Sequence, residues 1–167
     1  MAIATSLQDY LQRHDIPYDI IEHAPAMTMR AAAHETGISE DSVVKAVLLE
    51  DEDGYVLVAV PASCHVQLGR VARLLKHPVG LASETEVAEL FGDCARGALP
   101  PVGDAYGLDM VVDEQLDAQL DLYFEGGDHR SLVHVKGEDF ARLQHEARYG
   151  HVGARNGSSG PGRGRAA

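Results

Sequence analysis

The sequence predicts an α+β fold in which short helices surround a mixed, mostly antiparallel sheet. Short apolar strand patterns and short helical patterns interleave irregularly along the chain. The regular βαβ alternation that builds a doubly wound sheet is missing. A glycine-rich phosphate loop, of either the P-loop or the dinucleotide kind, is also missing. These three observations favour a mixed sheet over a doubly wound one.

The first half of the chain is predicted to contain two helices and three strands. Thr5 with Gln8 fits a capping box, which marks the start of the first helix. Thr28 and Gly37 fit the N-cap and the C′ glycine of the second helix. An acidic turn at residues 51–54 joins the last two strands into a hairpin. In order, the predicted elements are a helix from Thr5 or Ser6 to His14, a strand over Tyr18–Ile21, a helix over Met29–Thr36, and strands over Ser42–Leu49 and Tyr55–Val60.

The second half is predicted to alternate short strands and helices less regularly. Leu68, Val71 and Leu75 recur at helical spacing. Ser83 with Glu86 fits a second capping box, and Gly126-Gly127 marks a turn or bulge. In order, the predicted elements are a helix over Val66–Leu75, a strand over Val79–Ala82, a helix from Ser83 to Phe91, a strand over Leu108–Val112, a short helix or turn over Asp113–Ala118, strands over Leu120–Phe124 and Ser131–Val135, and a helix over Gly137–Gln144.

Length and charge indicate one acidic domain followed by a tail. The chain has 167 residues, 45% of them hydrophobic, and a net charge of −12. We assign residues 1–150 to the domain and residues 151–167, which are rich in Gly, Arg and Ser, to a disordered tail. The tail holds three arginines and no acidic residue, so the body is more acidic than the whole chain. Such a body argues against broad, non-specific binding of nucleic acid.

The same composition indicates a cytoplasmic protein. No apolar run approaches the ~20 residues that span a bilayer. The first ten residues lack the basic and apolar regions of a secretory signal. Cys64 and Cys94 are too few for a disulfide scaffold and fit free thiols in a reducing compartment. The histidines show no metal-ligand spacing, so we expect no metal and no cofactor.

The stretch Gly97-Ala98-Leu99-Pro100-Pro101 lies between a helical and a strand pattern. Glycine allows a positive φ and close approach of a ligand to the backbone. Two prolines fix two φ angles and remove two N–H donors. The stretch therefore predicts a stiff loop that presents bare backbone, and the alternative is an ordinary rigid turn.

Lys45 and His129 are the side chains that best fit a ligand site. Lys45 lies in mid-strand on the same face as Val43 and Val47, where an ammonium group is costly to bury unless it reaches water or an anion. His129 follows Gly126-Gly127-Asp128, and an imidazole can donate a hydrogen bond to a ligand or accept one from it. The alternatives are a solvent-facing lysine and a surface-loop histidine.

Other residues are assigned supporting or structural roles. His23 and Thr28 flank a loop that enters a helix N-terminus and face the same predicted pocket. Arg70, Arg73 and Lys76 form the one basic cluster of the acidic body. Neither cysteine has a placed partner base, and no Gly-x-Ser-x-Gly elbow exists, so hydrolysis here would use water rather than a protein nucleophile.

Taken in order, several motifs resemble the YbaK/ProX family of aminoacyl-tRNA deacylases, which are related to the editing domain of bacterial prolyl-tRNA synthetases. The resemblance covers about residues 6–143. Its motifs are Tyr18-x-x-x-x-His23-x-x-x-Met27-Thr28, Val44-Lys45-Ala46-Val47-Leu48-Leu49, the stretch 55–61, Gly97-x-x-x-Pro101 and the Gly127-x-His129 turn.

The resemblance implies hydrolysis of the ester that links a wrong amino acid to tRNA, with no synthetase domain attached. It implies that Lys45 holds the phosphate near the terminal adenosine. It also implies that the loop from Gly97 to Pro101 grips the aminoacyl group and the ester, and that His129 is the pocket histidine. The resemblance further implies that the ribose hydroxyl of the substrate assists the attacking water. Lys45, Gly97 and His129 are thus the expected catalytic residues. The expected substrate-binding residues are His23, Thr28, Ala98, Leu99, Pro100, Pro101, Arg70 and Arg73.

The expected partner is the acceptor end of aminoacyl-tRNA, with a synthetase as a second candidate, and we expect a monomer without membrane contact. Lys45 with Arg70, Arg73 and Lys76 would suffice for a single-stranded anionic end. Two other functions stay open, a non-catalytic module that binds aminoacyl-tRNA or a synthetase, and a hydrolase of small molecules. The sequence does not reveal which amino acid is removed.

Overall fold

The structure is a computed structural model that describes residues 3–144 and 146–157. Its α-helices are α1 (Thr5–Arg13), α2 (Met29–Thr36), α3 (Leu68–Leu75), α4 (Glu84–Leu90) and α5 (Gly137–Leu143). Its strands are β1 (Asp19–Glu22), β2 (Val43–Asp51), β3 (Gly54–Pro61), β4 (Cys64–Val66), β5 (Gly80–Leu81), β6 (Asp109–Asp113), β7 (Asp121–Glu125), β8 (Ser131–Lys136), β9 (Arg148–Gly150) and β10 (Gly153–Arg155). Short 3₁₀ helices cover Glu40–Ser42, Gly103–Tyr106 and Glu114–Ala118.

Local capping explains where α2 and α4 begin. The Thr28 hydroxyl accepts the Ala31 N–H at 3.1 Å, and α2 ends at Gly37 with φ 72°. Ser83 and Glu86 form the predicted capping box at α4. The predicted box at α1 is wrong, because Ala4 is the N-cap and no side chain caps this helix.

One mixed sheet organises the molecule. In the described residues it has eight strands, in the order β1-β8-β7-β2-β3-β6-β9, with β5 paired to β2 outside this path. The pairs β1·β8, β7·β8, β2·β3 and β2·β5 are antiparallel. The pairs β2·β7, β3·β6 and β6·β9 are parallel. The predicted α+β fold with a mixed, mostly antiparallel sheet is confirmed.

The two faces of the sheet bury separate cores. One face packs against α1 and α5 through residues such as Leu7, Leu11, Phe124 and Phe140. The other face packs Val58, Val60 and Val111 against Val71 of α3 and against Val152. Strand β2 alternates between the two cores. None of the helices in the described segments is long and apolar enough to cross a membrane.

The chain beyond Gly150 continues into the fold, which corrects the predicted disordered tail. Val152 is buried, and β10 pairs with β4 in a separate two-stranded sheet. The buried Asp113 carboxylate accepts the Gly153 N–H at 2.5 Å, which ties β10 to the main sheet. Disorder is therefore wrong for residues 152–156, and the predicted tail from residue 158 onward lies outside the described residues. Strand β4 also replaces the predicted start of α3 at Val66.

Candidate active site

A central cavity of about 230 Å³ lies where the first turn of α2, strand β2 and two loops meet. One loop is the Gly97 loop, residues 95–101, and the other is the Gly-Gly turn, residues 125–129, between β7 and β8. The cavity is lined by Met27, Thr28, Met29, Lys45, Ala46, Val47, Gly97, Leu99, Glu125 and His129. The structure thus brings Lys45, Gly97, His129, Thr28 and Leu99 from the predicted set together at one cavity.

The cavity opens at a gap in the pairing of β2. Strand β7 pairs with β2 no further than Val44, and β5 pairs with it again only from Leu49. Val43 C=O accepts the Ala62 N–H at 2.7 Å, and hydrogen-bonded pairs alternate along an antiparallel ladder. This alternation directs the N–H and C=O of Ala46 away from β3 and into the gap. Main-chain groups therefore form part of the wall.

Lys45 is half-buried beside the first turn of α2 and near Cys64 of β4. Burial lowers the pKa of Lys45, the neighbouring Arg30 charge lowers it further, and Cys64 opposes this shift. Among the described residues, no carboxylate forms an ion pair with its ammonium. The predicted alternative of a solvent-facing lysine does not fit a group that lines a cavity. An anion that enters the cavity would regain the solvation that burial removes from this charge.

Gly97 supplies the bare backbone that the sequence predicts for this loop. Its φ is +81°, a left-handed conformation that favours glycine. A Cβ at this position would lie 3.9 Å from Cε1 of the His129 ring. Gly97 is exposed, whereas Ala98, Pro100 and Pro101 are buried and anchor the loop from behind.

His129 holds the Gly97 loop in place. Its Nε2 lies 2.6 Å from the Arg96 carbonyl oxygen. A carbonyl oxygen can only accept a hydrogen bond, so Nε2 must carry the proton. In a neutral ring, Nδ1 then carries no proton. The residue is 8% exposed, so His129 is not a surface-loop histidine. A second bond joins the two loops, since the Ala95 N–H donates to the Gly127 carbonyl at 2.7 Å.

Glu125 fixes the Gly-Gly turn, although sequence reasoning did not select it. Its Oε2 accepts the N–H groups of Gly127 at 2.8 Å, Asp128 at 3.1 Å and His129 at 3.0 Å. These bonds hold His129 at φ 62°, an uncommon conformation for a residue with a side chain. A glutamate directly before a Gly-Gly turn was the available signal, because the turn leaves N–H groups that need an acceptor.

Several predicted binding residues do not line the central cavity. The His23 N–H donates to the Arg130 carbonyl, and its ring Nδ1 lies 2.7 Å from the Ala24 oxygen. Arg70 Nη1 donates to the Gly153 carbonyl at 3.3 Å. The residues outside the lining are His23, Ala98, Pro100, Pro101, Arg70 and Arg73. Their roles stay predictions, but the basic cluster on α3 is not part of this wall.

Two recesses adjoin the central cavity at different places. The apolar recess, of about 440 Å³, adds Leu48, Leu81, Ala82 and Val87, with Glu84 and Arg96 beside them. The basic recess, of about 530 Å³, shares Thr28, Met29 and Lys45 and adds Arg30, Ala31, His34 and Asn156. Arg30, His34 and Asn156 were not predicted. Asn156 reaches the recess because β10 is ordered.

Neither cysteine lines the central cavity. Cys94 Sγ lies 3.3 Å from the Tyr106 hydroxyl, behind the Gly-Gly turn. Burial raises the pKa of the Cys94 thiol to about 12, so it is a poor nucleophile. Cys64 is buried under β10. Within the described residues, no group of three His, Cys, Asp or Glu side chains is arranged to hold a metal ion.

The sequence model of the aminoacyl-tRNA editing domain matches residues 23–143, and the chain belongs to this family. The match spans the α2 cap, Lys45, the Gly97 loop and the Gly-Gly turn. The family assigns the chain an aminoacyl-tRNA editing role, with aminoacyl-tRNA as the implied substrate. No curated protein matches the chain significantly.

Solved structures share the fold over most of the chain. The hypothetical protein APE2540 superposes with a TM-score of 0.79 at 25% identity, over 89% of this chain and 99% of that one. A proposed trans-editing enzyme for prolyl-tRNA synthetase gives 0.76 at 28% identity, over 89% and 95%. A proposed signal transduction protein from Marinobacter aquaeolei VT8 gives 0.75 at 18% identity, over 93% and 32%, and supports the fold alone. The predicted resemblance to the editing family is confirmed.

Proposed function

We propose that this protein is a deacylase, which hydrolyses the ester of a mischarged aminoacyl-tRNA as a separate editing enzyme. Family membership supports the editing role, and the central cavity supports the chemistry. The observation that carries the proposal is the half-buried Lys45 ammonium, which has no carboxylate partner among the described residues and lines the same cavity as the Gly97 backbone.

Lys45 and the basic recess suit the anionic end of the substrate. Lys45 lines both the central cavity and this recess, and Arg30 adds a second cation there. Arg30, in the first turn of α2, also pairs with Glu40 at 3.3 Å. We assign the phosphate of the terminal adenosine to Lys45, because a desolvated ammonium gains most from an anion. The side chain of the amino acid then extends toward the apolar recess.

The Gly97 loop suits the reacting ester. Water adds to the ester carbonyl, the bond from the carbonyl carbon to the ribose oxygen breaks, and the amino acid leaves as a carboxylate. The ribose oxygen takes one proton from the attacking water, and the second proton is released to solvent. Exposed backbone at Gly97 stabilises the oxyanion, as preorganised donors do in acyl transfer. His129 is a positioning residue, since its Nε2–H holds the loop through the Arg96 carbonyl.

Water is the nucleophile that fits this cavity. No serine or cysteine lies among the residues that line it. The one hydroxyl there, on Thr28, already accepts the Ala31 N–H as a helix cap. Assistance to the water then comes from the ribose hydroxyl of the substrate, as the family resemblance implies.

A panel of mischarged tRNAs tests the proposal through release of the amino acid. We expect at least one ester to be hydrolysed, and Lys45→Ala and Lys45→Met to abolish hydrolysis while the protein stays folded. Lys136→Met is the matched control, because it removes the same charge from an exposed residue at the end of β8 that does not line the central cavity. Unchanged turnover in both Lys45 variants would overturn the site. Binding of tRNA without release would favour a binding module, and cleavage of simple esters regardless of tRNA would favour a small-molecule hydrolase.

A further inference from the structure

Glu125 has one carboxylate oxygen that the fold leaves without a partner. The residue is 2% exposed and lines the central cavity. Oε2 accepts three main-chain N–H groups of the Gly-Gly turn, as described above. Oε1 is buried and accepts no hydrogen bond from the described residues. The two oxygens of one carboxylate are thus used very differently.

An unpartnered carboxylate oxygen in a buried site indicates a missing donor. A carboxylate offers about four lone-pair positions, and a buried acceptor without a partner costs free energy. The three bonds hold Oε2 in place and the residue is 2% exposed, so Oε1 cannot reach solvent unless these bonds break. A cationic donor that enters the cavity would satisfy it through a charge-assisted bond.

The position of Glu125 is linked rigidly to the Gly97 loop. Glu125 Oε2 accepts the His129 N–H, and the His129 ring bonds the Arg96 carbonyl next to Gly97. The same short network therefore sets both the free oxygen and the backbone assigned to the ester. In an aminoacyl ester, the α-ammonium is attached to the carbon next to the ester carbonyl. Glu125 Oε1 could accept a hydrogen bond from the α-ammonium while the Gly97 backbone stabilises the oxyanion formed from the neighbouring ester carbonyl.

We propose that Glu125 Oε1 binds the α-ammonium of the aminoacyl group. This inference rests on the proposed deacylase function and adds a substrate requirement to it. Esters with a free α-amino group would be accepted, whereas N-acylated esters, such as those of peptidyl-tRNA, lack the charge and would be rejected. Glu125 is then the residue that restricts hydrolysis to aminoacyl-tRNA.

The test compares one amino acid on the same tRNA as the free amine and as the N-acetyl derivative. We expect the wild-type protein to favour the free amine in kcat/KM by roughly ten- to a hundredfold, the range of a charge-assisted bond. Glu125→Gln keeps one carbonyl oxygen for the three N–H groups and presents an NH₂ donor to the cavity. The ratio of the two rates should then fall toward one. Glu89→Gln, an exposed position on α4, is the control and should keep the wild-type ratio.

Binding provides a second readout that does not need turnover. The ligand is alanyl-adenosine with a 3′-amide in place of the ester, prepared with a free or an N-acetylated α-amino group. Each form is titrated by calorimetry into the wild-type protein and into Glu125→Gln. Tighter binding of the free amine only in the wild type supports the role of Glu125. Equal rates and equal binding for the free and acetylated compounds in the wild type would overturn it, even if Glu125→Gln does not fold. Hydrolysis of neither tRNA ester would instead overturn the deacylase function on which the role depends.

Discussion

Replacement of Gly97 by alanine tests whether the loop backbone takes part in hydrolysis. Gly97 has φ +81°, and an added Cβ would lie 3.9 Å from the His129 ring, an ordinary contact distance. Alanine therefore fits sterically but is strained in the left-handed region, by roughly 1–2 kcal/mol. If the loop relieves this strain by leaving its productive conformation, kcat/KM falls by a factor of about 5–30.

Gly107→Ala is the matched control for this strain. Gly107 has φ +68° and open space around its Cβ position, and it lies outside the central cavity. We expect the two variants to lose similar free energies of unfolding in urea, and only Gly97→Ala to show the fall in kcat/KM for deacylation. The rates are measured with whichever mischarged tRNA is hydrolysed fastest. Wild-type turnover in Gly97→Ala, together with the expected loss of stability, would refute a role for this backbone.

Three further predictions concern residues around the site. Asp113 accepts the Gly153 N–H with one carboxylate oxygen and the Gln115 N–H with the other, so Asp113→Asn puts an amide donor against one of these two groups. The free energy of unfolding should then fall by about 1.5–3 kcal/mol in urea titrations, whereas the exposed Asp109→Asn should stay within about 0.5 kcal/mol. Thr28→Ala removes the cap of α2 and should cost about 0.5–2 kcal/mol, whereas Thr28→Ser should restore most of it; equal stabilities would contradict the cap. Burial raises the pKa of the Cys94 thiol to about 12, so it should react with iodoacetamide at pH 8 on the order of a hundredfold slower than free cysteine. Cys94→Ser identifies the part of the reaction that belongs to this thiol. A Cys94 reaction rate near that of free cysteine would contradict its burial.

Local sequence signals predicted most of the fold. The Thr28 cap, the Gly37 end and the Ser83 capping box depend on neighbouring residues alone, and all of them form. The box at Thr5 failed because Ala4 takes the N-cap position, while the Asp93 carboxylate, far along the chain, accepts the Ser6 N–H. The order in β10 was missed for a similar reason. Its anchors are distant in sequence, and a Gly-rich stretch shows no apolar period.

The candidate site was predicted where chemistry and motif order agreed. Lys45, Gly97 and His129 line one cavity. They could be selected from the sequence because each is an unusual residue at the end or in the middle of a recognisable element. The basic cluster on α3 was grouped with them because of its charge. Charge alone does not reveal which face of the sheet a helix packs against, and so does not reveal whether its side chains reach the cavity. Glu125 was missed because the strand was predicted to end one residue earlier, which left this carboxylate unexamined in a turn.

The gap in the pairing of β2 limits how a ligand can pair with the edge of this strand. An open sheet edge usually recruits another strand, because its N–H and C=O groups form a regular row. Here β7 and β5 close the row on both sides, and alternation leaves the main-chain groups of Ala46 facing the opening. A second polypeptide cannot pair there beyond a single residue. Main-chain pairing of a ligand with β2 is thus confined to the groups of Ala46, and side-chain substitutions at Ala46 leave that limit in place.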